Sequence, residues 1–301
     1  MCHVRVCASP KPTRWEDNAM KVVVTGGSGG IGRYVVRELL QHGHEVVSFD
    51  RVRPPEPEPG VHYRLGDHED EGTVFELLAP AEAVVHLSAI PAPGTHANAF
   101  VFRTNVMGTY NVCEAAATLG LKKIVATSSI NVLGMGFRYR DFSPHYLPVD
   151  EEHPDLPQDP YGLSKVVGED IVDMVHRRTG IPAVSIRPSH VVMPETWPDR
   201  MAAMKADFNV YFRGIWGYSD VRDLAVGFRL ALETESAVQG AYYIVADDAF
   251  CPAPLAEAAP LAFPDIGDMA AHLTGTESGI TNAKAKRELG FEAQYSWRDF
   301  A

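Results

Sequence analysis

"KVVVTGGSGGIGRYVVRELLQHG", residues 21–43, decides the fold. A short apolar run rich in valine leads into a cluster of glycines. Ile31, Val35, Leu39 and Leu40 then recur at helical spacing, and Gly43 stops the pattern. Gly26, Gly29 and Gly32 stand in G-x-x-G-x-x-G spacing between this strand and this helix. Glycine permits a tight turn and close backbone approach to a pyrophosphate. The helix start then offers free N–H groups and a positive dipole end to the anion. Gly30 and Ile31, the first helical residues, belong to the same expected cofactor set.

Outward from this unit the alternation continues. "EVVSFD" (45–50), "VHYRLGD" (61–67), "AVVHLSA" (83–89), "KKIVATSS" (122–129) and "PAVSIRPS" (182–189) are further strands. "NVMGTYNVCEAAATLG" (105–120) and "PYGLSKVVGEDIVDMVHRRTG" (160–180) are helices. Strands that are apolar throughout and alternate with helices predict an α/β, doubly wound parallel sheet of the Rossmann kind. Its ligand crevice lies beyond the carboxyl ends of the strands. Residues 20–187 form the expected dinucleotide-binding domain. Residues 188–301 are expected to form a small C-terminal substrate lobe, with "AYYIVADD" (241–248) returning to the sheet. "RPPEPEPG" (53–60) reads as a surface loop.

The chain has 301 residues, 46% of them hydrophobic and 22% charged, with a formal charge of −12. An acidic surface repels phosphates, so nucleic acid is not an expected partner. No stretch approaches the length of a membrane span. Cys2, Cys7, Cys113 and Cys251 are scattered without a CxxC pair, which points to a reducing, cytoplasmic setting. His42 and His44 are expected in a surface turn, and no metal site is expected. Residues 1–19 read as a flexible extension without a signal peptide.

Asp50 ends the second strand. A carboxylate there accepts hydrogen bonds from ribose hydroxyls and repels a 2′-phosphate, which favours NAD. Arg51 and Arg53 follow and can bind a phosphate, so NADP stays open. Asp67 either meets the adenine amino group or caps the next helix. Ser128 and Ser129 end the fifth strand at the same crevice. Tyr161 and Lys165 are at i and i+4 and share a helix face. A nearby ammonium, with a cationic nicotinamide ring, favours a phenolate and brings the tyrosine from its usual pKa near 10 toward working pH.

With "TGGSGGIG", "VVHLSA", "NVMGTYNVCEAA", "ATSSINVLG", "PYGLSK", "IRPS", "SDVRDLA" and "TNAKAKRELGF" in this order, the sequence resembles the extended short-chain dehydrogenase/reductase family, the NAD-dependent epimerase/dehydratase group. The resemblance runs from about Met20 to the C-terminus. It implies Tyr161 as general acid/base, Lys165 as its partner and ribose ligand, and Ser129 as the hydroxyl that positions the substrate oxygen. It assigns Gly26, Gly29 and Gly32 to the pyrophosphate and Asp50 to the ribose. Leu87, Ala89, Asn105 and Pro188 are further expected cofactor neighbours. It also implies a homodimer through the helices near 98–119 and 161–179.

The departures bear on the substrate. Only about 35 residues separate Arg187 from Asp223, and "RPSHVVMPE" replaces the asparagine usual after that arginine. In this shortening the chain looks like the family's uronate dehydrogenases. Arg200 in "PETWPDRM" is the candidate for a substrate carboxylate, a good match for a guanidinium fork. Asn131 and His190 are candidates for lining the same pocket. The expected reaction is oxidation of a small free sugar or uronic acid. A nucleotide-sugar 4-epimerase that retains NAD is the alternative, and a non-catalytic NAD(P) sensor the third reading.

Overall fold

The computed structural model describes residues 19–300. The expected extension at 1–19, with Cys2 and Cys7, lies outside the described residues apart from residue 19. The chain begins with β1 (Lys21–Thr25), α1 (Gly30–Gln41), β2 (Glu45–Asp50), β3 (His62–Leu65), α2 (Glu71–Leu78) and β4 (Ala83–His86). It continues with α3 (Asn98–Leu119), β5 (Lys123–Thr127), α4 (Pro160–Thr179) and β6 (Ala183–Pro188). With β9 (Gln239–Ile244), seven strands pair in the order β3-β2-β1-β4-β5-β6-β9, every pair parallel. The order reverses between β1 and β4, and a ligand crevice belongs there.

The burial pattern explains the sheet. Val22 and Val24 of β1 face one helix layer, while Val23 faces the other. Ala83 and Val85 of β4 alternate with Val84 in the same way. These two central strands therefore bury both faces, so period-2 polar alternation is missing from their sequences. Fully burying one such side chain contributes about 1.5–3 kcal/mol.

After β6 the chain divides. β7 (His190–Val192), α5 (Trp197–Ala206) and β8 (Tyr218–Asp220) build a lobe over the strand ends, with β7 parallel to β8. Trp197, Met201, Tyr211, Ile215 and Trp216 are buried in a core of its own. α6 (Val221–Glu233) then packs back onto the α1 layer, and β9 (Gln239–Ile244) completes the sheet beside β6. "AYYIVADD" thus returns as expected. α7 (Leu255–Ala262) joins the lobe core, and α8 (Ala283–Leu289) joins the α6 layer.

One expectation fails at the end of α1. His42 is exposed, but His44 is 5% exposed and structural. Its Nδ1 accepts the Met20 N–H at 3.2 Å, and its Nε2 faces Glu233 of α6 at 3.3 Å. The turn is pulled inward because β2 must restart beside β1, and the imidazole bridges two elements far apart in sequence.

Gly108 sits inside the 22-residue helix α3, where glycine costs about 1 kcal/mol relative to alanine. The reason is close packing: a Cβ there would lie 1.6 Å from His68 Cδ2. Gly108→Ala should therefore lower the thermal midpoint by a few degrees. Overpacking costs about 1–3 kcal/mol and outweighs the gain in helix propensity. A calorimetric melt that rises instead would overturn this account.

Candidate active site

The crevice is built around the β1–α1 turn. Gly26 has φ +69°, and a Cβ there would lie 2.8 Å from the Ser88 nitrogen. A Cβ at Gly32 would lie 2.0 Å from the Gly26 carbonyl oxygen. Only glycines let α1 start this close to β1. Gly29 is the N-cap, so no side chain satisfies the first N–H groups of the helix. A crevice of about 270 Å³ opens beside the turn, lined by Gly26, Gly29, Asp50, Arg51, Leu87 and Ala89 with Gly66, His68, Ser88, Ile90 and Thr104. A backbone cradle without side chains and an uncapped helix start fit a diphosphate, so these residues suit NAD. Gly30 faces Met193, whose Cε would stand 2.7 Å from a Cβ there. The segment after β7 therefore lies across the turn. Ile31 sends its side chain into the α1–α6 core.

Asp50 closes β2 with its carboxylate accepting from Ser28 N at 3.1 Å and Arg51 N at 2.7 Å. Arg51 is drawn to Asp67, with Nη2 to Oδ2 at 2.7 Å. Burial opposes the Asp67 charge, but the Glu69 N–H and Arg51 outweigh it and hold the carboxyl below its usual range. The cap of α2 is Asp70, which accepts from Thr73 N at 2.9 Å, so Asp67 is not that cap. Asn105 is buried and clamps the loop after β4: its Oδ1 accepts from Ile90 N at 2.8 Å, and its Nδ2 reaches Ser164 of α4. Pro188 ends β6, buried, at the same edge of the sheet.

The reactive pair stands on the first turns of α4. Asp159 caps this helix by accepting from Tyr161 N at 2.9 Å and Gly162 N at 3.0 Å, and Pro160 occupies the first helical position. Tyr161 and Lys165 are both 7% exposed. Lys165 Nζ donates to the Thr127 carbonyl at the end of β5, 2.9 Å away, and lies 5.7 Å from the Tyr161 ring centre. Burial lowers the lysine to about 8, with Glu169 opposing. Burial pushes Tyr161 up to about 12, while the Ser129 hydrogen bond lowers it and the Asp159 charge raises it. The expected acidification by Lys165 is therefore not met in the protein by itself. Desolvation dominates, the ammonium is turned to a carbonyl, and the expected acidification calls for the cationic nicotinamide ring as well.

Ser129 is thus beside the tyrosine, as the sequence pattern required. Its Oγ accepts from both Asn131 N and Asn131 Nδ2 at 3.1 Å. His190 lies beyond β6, its ring 4.7 Å from that of Tyr211, and its Nε2 is buried without a hydrogen-bond partner. Burial lowers His190 to about 4, and the charge of Arg200 adds to this. His190 and Arg200 are therefore neighbours, and the imidazole is neutral near pH 7.

Sequence reasoning missed three groups. Phe137 meets the Tyr161 ring edge-on at 6.2 Å between centres. Glu169, one turn beyond Lys165, is gripped by the buried Arg187 at 2.8 and 2.7 Å, and Arg187 also reaches Asp155 at 3.1 Å. Asp159 had a signal, since Asp-Pro at a helix start is a capping pattern. The other contacts join residues with no local spacing to reveal them.

The sequence model of the NAD dependent epimerase/dehydratase family matches residues 22–246. A uronate dehydrogenase of Pseudomonas putida is 32% identical over 186 residues, 59% of this chain and 66% of that protein. A putative UDP-glucose 4-epimerase of Methanocaldococcus jannaschii is 33% identical over 176 residues, 56% of this chain and 55% of that protein. The matched stretches thus span less than two thirds of either relative. A solved short-chain dehydrogenase/reductase superfamily protein from Agrobacterium tumefaciens, with bound NAD, superposes with a TM-score of 0.69 at 25% identity, covering 92% of this chain and 94% of that one. A match along most of the sheet, with the glycine turn and the Tyr161–Lys165 helix in place, means that the chain belongs to the NAD-dependent epimerase/dehydratase family, the extended branch of the short-chain dehydrogenases/reductases.

Proposed function

We propose that the protein is an NAD-dependent dehydrogenase acting on a small free sugar or uronic acid. The observation that carries this reading is the lobe between β6 and α6. It is short, and Trp197, Met201, Met204, Tyr211, Ile215 and Trp216 fill its interior. A pocket bounded by so closely packed a lobe suits a small substrate better than a nucleotide sugar. The likeness to a uronate dehydrogenase supports the same choice.

NAD, when bound, supplies the acceptor for the hydride that leaves the carbinol carbon. Tyr161 Oη takes the hydroxyl proton, so the C–OH becomes C=O and the electron pair leaves with the hydride. Ser129 donates to the reacting oxygen and holds it in line with the tyrosine. Lys165 would hold the nicotinamide ribose, and its positive charge favours the phenolate once a second cation is near. Asp50 would take the adenine ribose. Arg51 is tied to Asp67, which favours NAD over NADP. His190 offers a neutral imidazole to a sugar hydroxyl, and Arg200 beside it offers a guanidinium to a carboxylate.

Met107 and Tyr110 of α3 and Leu163 of α4 are about two-fifths exposed, and they support pairing of these helices in a homodimer. Among the described residues no helix is long and apolar enough to cross a membrane.

The test is absorbance at the NADH band with NAD and a panel of free sugars, uronic acids and UDP-sugars. NADH accumulating in step with a free sugar or uronate is the expected result. Interconversion of UDP-sugars without net NADH release would instead establish the epimerase. Tyr161→Phe should lose about 10²–10⁴-fold in turnover while binding NAD normally by calorimetry. Lys165→Met should also be inactive, yet more stable at pH 7. The folded lysine, at about 8, lies below its ordinary 10.5, so the cost of its burial is fully present below pH 8 and fades as pH rises toward 10.5. Discounting the lost Thr127 bond, the gain is about 1–2 kcal/mol. It should shrink between melts at pH 7 and pH 9. Light scattering at micromolar concentration should give a dimer mass, and a monomer would contradict the pairing.

A further inference from the structure

We propose that Asn131 is a positioning residue that fixes the direction in which the Ser129 hydroxyl donates. Ser129 is the N-cap of the short turn Ile130–Leu133, and its Oγ accepts the Asn131 N–H at 3.1 Å, as a capping serine does. A second bond is not required by the turn. Asn131 Nδ2 donates to the same oxygen, also at 3.1 Å. A hydroxyl has two lone pairs and one proton. With both lone pairs occupied by one residue, Ser129 acts toward the crevice only as a donor. Until a substrate oxygen takes this proton, the group it faces is Tyr161, whose ionised form a hydrogen bond from Ser129 favours.

The asparagine is itself held. A Cβ on Gly136 would come within 2.0 Å of Asn131 Oδ1, so the amide oxygen rests against bare backbone. The Asn131 main-chain carbonyl lies against Gly162, where a Cβ would stand 2.6 Å away. Gly162 follows Tyr161 on the first turn of α4. Asn131 therefore joins the serine turn to the tyrosine helix and sets the relation between the two hydroxyls. This role acts through Ser129 and differs from the substrate contact expected of Asn131 from sequence. It deepens the acid–base reading proposed above and depends on it for its use in turnover.

Asn131→Asp distinguishes orientation from shape. The side chain keeps its outline, but a carboxylate accepts where the amide donated, and it draws the Ser129 proton away from Tyr161. Asn131→Ala removes the side-chain bond and keeps the main-chain one. The readout is the ionisation midpoint of Tyr161, followed by NMR of tyrosine labelled with ¹³C at Cζ, with and without saturating NAD. Tyr161→Phe identifies the resonance. Asn131→Asp should raise the midpoint by about one pH unit or more, Ser129→Ala should raise it likewise, and Asn131→Ala by less. Gly136→Ala, which pushes the amide aside without changing its chemistry, should shift it in the same direction. An unchanged midpoint in Asn131→Asp overturns the proposal, as does an unchanged midpoint in Ser129→Ala. The titration needs no sugar. A protein that oxidises nothing in the panel would refute the reaction proposed above, while the role of Asn131 would still be decided by the shift.

Discussion

The contact between the Gly26 carbonyl and Gly32 is the constraint on which the crevice depends. No Cβ fits between them, so α1 departs from the end of β1 with its first N–H groups facing outward. Asp50 reaches this turn because Ser28, two residues into it, donates to its carboxylate. Leu87 hydrogen-bonds to the Thr25 carbonyl and lines the same opening. A larger residue at position 26 or 32 would move the helix, and with it the backbone cradle at its start.

The first turns of α4 are assembled at an energetic cost. An ammonium and a phenol are both removed from water, and each is pushed toward its neutral form. The sheet tolerates this because parallel strands buried on both faces supply a large apolar surface. Asn105 and Arg187 then restrict the arrangement. One ties the β4 loop to α4, and the other holds Glu169 one turn beyond the lysine. Shifts of this size in buried groups cluster at functional sites.

Much of this was legible in the chain. The glycine spacing, the strands that are apolar throughout and the i, i+4 Tyr161–Lys165 pair are local patterns, and local patterns survive in a sequence. Asp50 and Ser129 follow from strand ends, which the same patterns locate, and Ala89 from the resemblance to the family. Other features were hidden for a common reason. His44 is buried by contact with Met20 and Glu233, and Arg187 meets Glu169 across the sheet. The direction of the Tyr161 shift depends on how completely neighbours exclude water, which spacing does not encode. The aromatic filling of the lobe was equally invisible, since Trp197, Tyr211, Trp216 and Phe250 fall on separate elements.

The lobe has a hydrophobic interior separate from the two layers that hold the sheet. It touches the sheet through Tyr243 of β9 and the serine turn through Val132 and Leu133, so changes confined to Trp197, Tyr211 and Trp216 leave most of the strands below untouched. Evolution can thus vary this lobe while the glycine turn and the start of α4 are kept. Variation concentrated at residues 197–217 would change the cover over the strand ends without altering the strand order beneath it.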